Sequence, residues 1–219
     1  MTSMRTTLRI FRSPLLGFAL VGSLQGCSNS SEGSGTTGDA GAPGEPTAVA
    51  CSDELELRLG EFVAEGEPLR LLASGDPLHL WNAPQGGHVV NTAAEVHGLV
   101  TSIVSIEARL LDPVTEELVK DDVRSIVMKP IPGDDGWMSP DIRSRSQVTH
   151  IALCPDSGGQ VFLDQEFLLE VEILERDTEC QGRGIARVPV VPRCLQEASV
   201  EREFCVCECE MTSECSLGD

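Results

Sequence analysis

From Cys51 onward, hydrophobic and polar residues alternate. Leu55, Leu57 and Leu59 interleave with Glu54, Glu56 and Arg58, a period of two that puts the leucines on one face of an extended strand. Further runs predict strands near 68–72, 78–82, 88–97, 102–111, 117–128, 147–154, 166–175 and 184–191. Val104, Ile106, Ala108 and Leu110 share one face of their strand, and Val90, Thr92, Ala94 and Val96 share one face of theirs. Turn residues separate the runs: Gly75-Asp76-Pro77, Pro84-Gln85-Gly86-Gly87, Asp112-Pro113, Pro132-Gly133-Asp134 and Ser157-Gly158-Gly159. Short strands at this spacing predict an all-β domain, an antiparallel β-sandwich of immunoglobulin-like type, over residues 51–192. The segment 164–175 also fits helical spacing through Leu163, Phe167, Val171 and Leu174. Val171 and Ile173 are β-branched in a β chain, so a strand is expected there. Residues 130–146 carry no period and read as a long irregular loop.

The N-terminal fifth has a different texture. Arg5, Arg9 and Arg12 precede a short apolar run from Pro14 to Leu24, which at about 11 residues is far below the roughly 20 needed to span a bilayer as a helix. That is the layout of a secretory signal peptide, residues 1–26. The run ends in Leu24-Gln25-Gly26-Cys27, which resembles the bacterial lipobox. The resemblance implies cleavage before Cys27 and fatty acylation of that cysteine, a membrane anchor of several acyl chains. Ser28 behind it implies, by the sorting habit of diderm bacteria, the outer membrane. Residues 28–50 are rich in Gly, Ser, Thr and Pro and cannot bury a core. With Cys27 they predict a disordered tether, 27–50, spanning about 26 Å on average.

Charge narrows the partners. Lys and Arg number 16 against 35 Asp and Glu, for a formal charge of −19. Nucleic-acid binding is excluded, since no cationic excess exists to displace phosphate counterions. Removing the leader strips three arginines and no acid, so the anchored body is more acidic still. The expected partners are the membrane, through the lipid, and an envelope protein or ligand.

Nine cysteines fit an oxidising compartment. With Cys27 lipidated, eight remain for disulfides: Cys51, Cys154, Cys180, Cys194, Cys205, Cys207, Cys209 and Cys215. Extended alternation would put Cys205, Cys207 and Cys209 on one side of an acidic, disulfide-rich tail, 193–219. Bridges within C-x-C are strained, so their partners are expected further away, among Cys51, Cys154, Cys180 and Cys194. A thiolate site for Zn²⁺ or Cu(I) is the competing reading, although C-x₂-C spacing is absent.

Leu78 to Asn82 leads through Pro84-Gln85-Gly86-Gly87 into His88, a hairpin with a glycine-rich turn. Here the chain resembles a group of myxobacterial lipoproteins that carry a G-P-Q-G-G-x-H turn after a short apolar strand and often a Cys-rich end. Ala83 stands where glycine is common, and the residue before the histidine is missing. The resemblance implies an envelope location and a sandwich, and no activity.

Candidate binding residues are His79, Trp81, Gln85, His88 and Trp137, on the hairpin 79–90 and the loop 131–146. His79, His88 and His97 are weak metal candidates, because strand parity separates His88 from His97, and a turn of three or five residues would separate His79 from His88 where one of four would put them on one side. Asp134, Asp135 and Asp141 are weak calcium candidates without the EF-hand spacing. No G-x-S-x-G, H-E-x-x-H, phosphate-loop or dinucleotide motif occurs, and Ser157 sits in a turn. The expected function is a non-catalytic binding or interaction module of the envelope, with no cofactor. The alternative is a metal-dependent or hydrolytic enzyme built on the His79/His88/His97 region.

Overall fold

The computed structural model describes residues 54–156, 158–176, 182–210 and Cys215. The leader, Cys27, the tether, Cys51, Ser157 and Cys180 lie outside the described residues. Eleven strands follow in order: β1 (Glu56–Glu61), β2 (Arg70–Leu71), β3 (Asp76–His79), β4 (Trp81–Asn82), β5 (His88–His97), β6 (Ile103–Leu111), β7 (Leu118–Pro130), β8 (Trp137–Pro140), β9 (Thr149–Cys154), β10 (Phe167–Glu175) and β11 (Arg183–Arg193). A 3₁₀ turn, Arg145–Gln147, precedes β9, and one α-helix, α1 (Ser199–Cys209), follows β11. No helix among the described residues is long and apolar enough to cross a membrane.

The strands form two layers on one core. The first runs β3-β11-β10-β6-β7. The second centres on β5, which pairs with β1 and β4 along one edge and with β8 and β9 along the other. The inward residues of β6 predicted by alternation, Val104 through Leu110, are fully buried, as are Leu169, Val171 and Ile173 of β10. On the outward face of the first layer, Arg109 contacts Glu107, Glu170 and Glu172, while Arg187 and Arg183 take the opposite sides of Glu170 and Glu172. Burial opposes the charge on Glu170, but Arg109 and Arg187 outweigh it and hold the carboxyl below its usual range.

Two segments serve both layers. Strand β7 pairs with β6 over Leu118 to Val127 and then with β8 from Met128 to Pro130. The segment 76–82 does likewise, with β3 on β11 and β4 on β5. Between them Leu80 is fully buried, its N–H donating to the Arg193 carbonyl at 2.9 Å.

The sequence-based picture holds for the all-β class and for the strand at 167–175. Three details differ. Strand β3 pairs with β11 in parallel, the exception among antiparallel named strand pairs. The region 130–146 is not wholly irregular, since β8 closes the second layer there. The third difference is the tail, where Ser199–Cys209 is a helix rather than an extended run. Helical spacing puts Cys205 and Cys209, four residues apart, on the buried face, and leaves Cys207 half-buried on another. The bridges among the described residues are Cys154–Cys209, Cys194–Cys205 and Cys207–Cys215. The first two staple α1 to the ends of β9 and β11, while the third closes within the tail rather than onto the sandwich.

Candidate functional site: a cleft between the hairpin and the C-terminal helix

The site begins with Glu61, at the end of β1 and almost fully buried. Its carboxylate accepts from the His79 backbone N–H at 2.5 Å and from Arg70 at 2.6 and 3.1 Å. Burial pushes this carboxyl up, against the pull of Arg70 and the His79 N–H. The anchor fixes the strand end that carries His79. Two residues on, Trp81 stacks against the His79 ring, 4.0 Å between centroids and 30° between planes. From the 3₁₀ turn, the Arg145 guanidinium sits 5.5 Å from the Trp81 ring and 5.9 Å from that of Phe62.

The far wall is the stretch from β11 into α1. Gln196 is buried and donates from Nε2 to the Leu80 carbonyl at 2.6 Å. Its own carbonyl accepts from Arg202 at 2.5 and 2.9 Å. Helix α1 starts behind Ala198, which offers no side-chain cap to the first N–H groups. The cleft between these walls has a volume of about 780 Å³ and is lined by Val63, His79, Trp81, Asn82, Arg145 and residues 195–198 and 201.

Its polar groups are not spent on one another. His79 Nε2, Trp81 Nε1 and Gln196 Oε1 are buried and have no hydrogen-bond partner in the protein. Buried polar atoms are nearly always paired, and each unpaired one costs about 1–3 kcal/mol. Three residues lining one cleft carry such atoms, which singles it out as the candidate site. Arg145 and the uncapped start of α1 are its positive features and suit a carboxylate, while Glu197 and Glu201 on the same lining narrow where one can sit. Gln196 Oε1 supplies an acceptor on the opposite wall.

Burial, then Arg70 and His88, push the His79 imidazole down to about 4, so it is neutral at physiological pH. The unfolded chain protonates this group near 6.5. Between 6.5 and 4 the unfolded state therefore binds more protons, and stability falls as pH falls through that window. Allowing for partial exposure and solvent screening, the loss is on the order of 1–2 kcal/mol. His88 and His150, both pushed down by burial, act in the same direction. Glu61 and Glu95, raised by burial, act oppositely, their contribution being lost as pH rises above their unfolded values. The expected net result is a melting temperature about 3–6 °C lower at pH 5 than at pH 7. The difference should shrink in His79→Gln, and an unchanged profile in that variant would show that His79 is not the neutral group described.

The other candidates lie elsewhere. Gln85 is exposed in the hairpin turn. The turn spans five residues, with Asn82 opposite His88, so Trp81 and His88 fall on opposite sides of the hairpin, while His79 precedes it on β3. His88 is buried beneath α1, 6.2 Å from the Phe204 ring. His97 is exposed and tilts against Trp137, 5.5 Å between centroids. The three histidines thus occupy three separate surroundings. Trp137 is buried, with the Arg58 guanidinium 3.6 Å over its ring, so that face is covered. Asp134 is paired with Arg58 at 2.9 Å, Asp141 with Lys129 and Arg143 at 2.8 and 2.6 Å, and Asp135 is exposed. These acids are answered by cations of the chain and do not converge as calcium ligands would.

Gln196 is a site residue that sequence reasoning missed, and Arg145 lies in the expected loop 131–146 without having been singled out. Each is a polar residue remote in the chain from the hairpin, and no local pattern marks either. No protein-family model matches the chain, and no curated protein sequence matches it.

Proposed function

We propose that the chain is a lipid-anchored protein of the cell envelope, held at the outer membrane through Cys27, whose sandwich is a non-catalytic binding module. The ligand is a small organic carboxylate taken into the cleft between the hairpin and α1. One observation carries the reading: His79, Trp81 and Gln196, which line a single cleft beside Arg145, each carry a buried polar atom with no partner in the protein. The leader, the lipobox and the abundance of cysteine support the location. A binding rather than hydrolytic role follows from the neutral, stacked His79, which has no nucleophile or metal ligand set beside it among the described residues.

The test has two arms. Mass spectrometry of protein extracted from membranes should find an acylated Cys27 as the N-terminus, and an intact leader would refute the anchor. Indole fluorescence of the Trp137→Phe variant reports Trp81 alone. Titration with a panel of aliphatic and aromatic carboxylates should give a saturable change for at least one of them. Arg145→Ala should weaken it about tenfold, the worth of one charge-assisted hydrogen bond. No saturable change across the panel, or equal affinity in Arg145→Ala, would defeat the proposal.

A further inference from the structure

The cleft between the hairpin and α1 holds charge of both signs, and the two have not closed on each other. Arg145 is the one Lys or Arg on its lining, while Glu197 and Glu201 stand on the far wall. Every other Lys and Arg among the described residues has an ion pair or a hydrogen-bond acceptor for its side chain, and Arg145 has neither. Its guanidinium lies against rings instead, 5.5 Å from Trp81 and 5.9 Å from Phe62. The chain has 35 Asp and Glu against 16 Lys and Arg, so acids to pair with it are in surplus. A half-buried guanidinium left without one, in a cleft, is a place for an anion from outside.

The far wall has the opposite character. Glu197 and Glu201 are both exposed. Glu201 lies in the first turn of α1, behind an N-cap without a side-chain hydrogen bond, where a carboxylate complements the helix dipole. The start of the helix thus holds an anion of its own chain, and a ligand carboxylate is left to Arg145. Gln196, on the same wall, is 8 % exposed. Its Nε2 is committed to the Leu80 carbonyl at 2.6 Å, and its Oε1 has no partner in the protein. What this wall has to spare is therefore acceptors, which repel a second negative charge and favour a cationic donor.

We infer, resting on the carboxylate reading of this cleft, that its ligand is also an amine: a small amino acid zwitterion whose carboxylate pairs with Arg145 and whose ammonium faces Glu197 and Glu201. The ammonium brings three N–H donors to a wall of acceptors, and the guanidinium meets the carboxylate as a planar fork. A plain carboxylate of the same shape gains the Arg145 contact but meets the acidic wall without compensation. Glu197 and Glu201 thus set specificity, by repulsion as much as by attraction. Binding is reversible and makes or breaks no covalent bond.

Isothermal titration calorimetry on the full mature chain at neutral pH compares each zwitterion with its deaminated analogue: phenylalanine with 3-phenylpropionate, and 6-aminohexanoate with hexanoate. At least one zwitterion should bind about tenfold more tightly than its analogue, the worth of one charge-assisted contact. In Glu197→Gln/Glu201→Gln that zwitterion should lose about tenfold in affinity, while the analogue binds as well as before or better. Arg145→Ala should weaken both. Glu201 supports the start of α1, so the double variant is first checked by its thermal melt, and Glu197→Gln, outside the helix, replaces it if the melt has shifted. Analogues that bind as tightly as their zwitterions overturn the amine assignment and leave the carboxylate reading standing. A zwitterion preference that survives the glutamine variants overturns the placement of the ammonium. No binding by either class defeats both readings at once.

Discussion

Removing the Cys154–Cys209 bridge, as the double variant Cys154→Ala/Cys209→Ala, is expected to lower unfolding free energy by about 4 kcal/mol. The two cysteines are 55 residues apart, and closing a loop of that length removes more freedom from the unfolded chain than closing a short one. Cys194–Cys205, with a separation of 11, should contribute about 3 kcal/mol on the same reasoning. Folded-state effects widen the gap. Helix α1 has no N-cap hydrogen bond, and its buried face among the described residues is Cys205 and Cys209. The staple to β9 therefore supplies much of its docking. Urea titrations of the two double variants, read by circular dichroism, should show the larger midpoint shift for the 154–209 pair. The reverse order would mean that the β11 staple, not loop length, governs how α1 is held. A domain near the lower end of ordinary stability, about 5 kcal/mol, tolerates one of these losses and not both.

The second large effect concerns the hairpin turn. Gly86 and Gly87 both have positive φ, 94° and 76°. A side chain in that region costs about 1 kcal/mol at either position. Their surroundings differ. Around Gly86 nothing lies within 4 Å of the place a Cβ would take, whereas at Gly87 the Cys154 backbone carbonyl is 2.4 Å from it. That carbonyl belongs to the β9 end carrying the staple, so it cannot retreat freely. Gly87→Ala should therefore cost about 3 kcal/mol, the conformational penalty plus overpacking, and Gly86→Ala about 1 kcal/mol. Thermal melts of the pair decide the matter, and equal costs would place the close approach elsewhere.

Much of the fold was legible because alternation reports directly on a sheet with one wet face. Strand β6 is the clearest case, its inward residues buried and its outward ones charged or exposed. Strand β5 was only half legible. Val90, Ala94 and Val96 face inward as alternation predicts, but Asn91, Ala93 and Glu95 are buried too. A central strand is covered on both faces by elements that its own sequence does not announce. The helix was illegible for a different reason. Cys205-Val206-Cys207-Glu208-Cys209 alternates as a strand would, and the helical choice is fixed by two bridges to residues far back in the chain. Strand β8 is four residues long, too short to establish a period, and its hydrogen bonds come from β5 and β7.

The candidate site was legible to the extent that it is local. His79 and Trp81 lie two apart on one strand, and their stacking is a consequence of that spacing. The Arg145 guanidinium and the Gln196 amide arrive from turns on other elements. What marks them is an unfilled bonding capacity or a position over a ring, which exists only after folding.

Strand β7 belongs to both layers, and this bears on how the domain comes apart. A sandwich of two independent sheets can shear along its apolar midplane, each half keeping its ladder. Here such slippage would have to tear the backbone hydrogen bonds of β7 near Met128, and those of 76–82 at the other crossing. The halves are thus sewn at two seams, so a pull on the domain is resisted by the whole body at once rather than unzipped leaf by leaf.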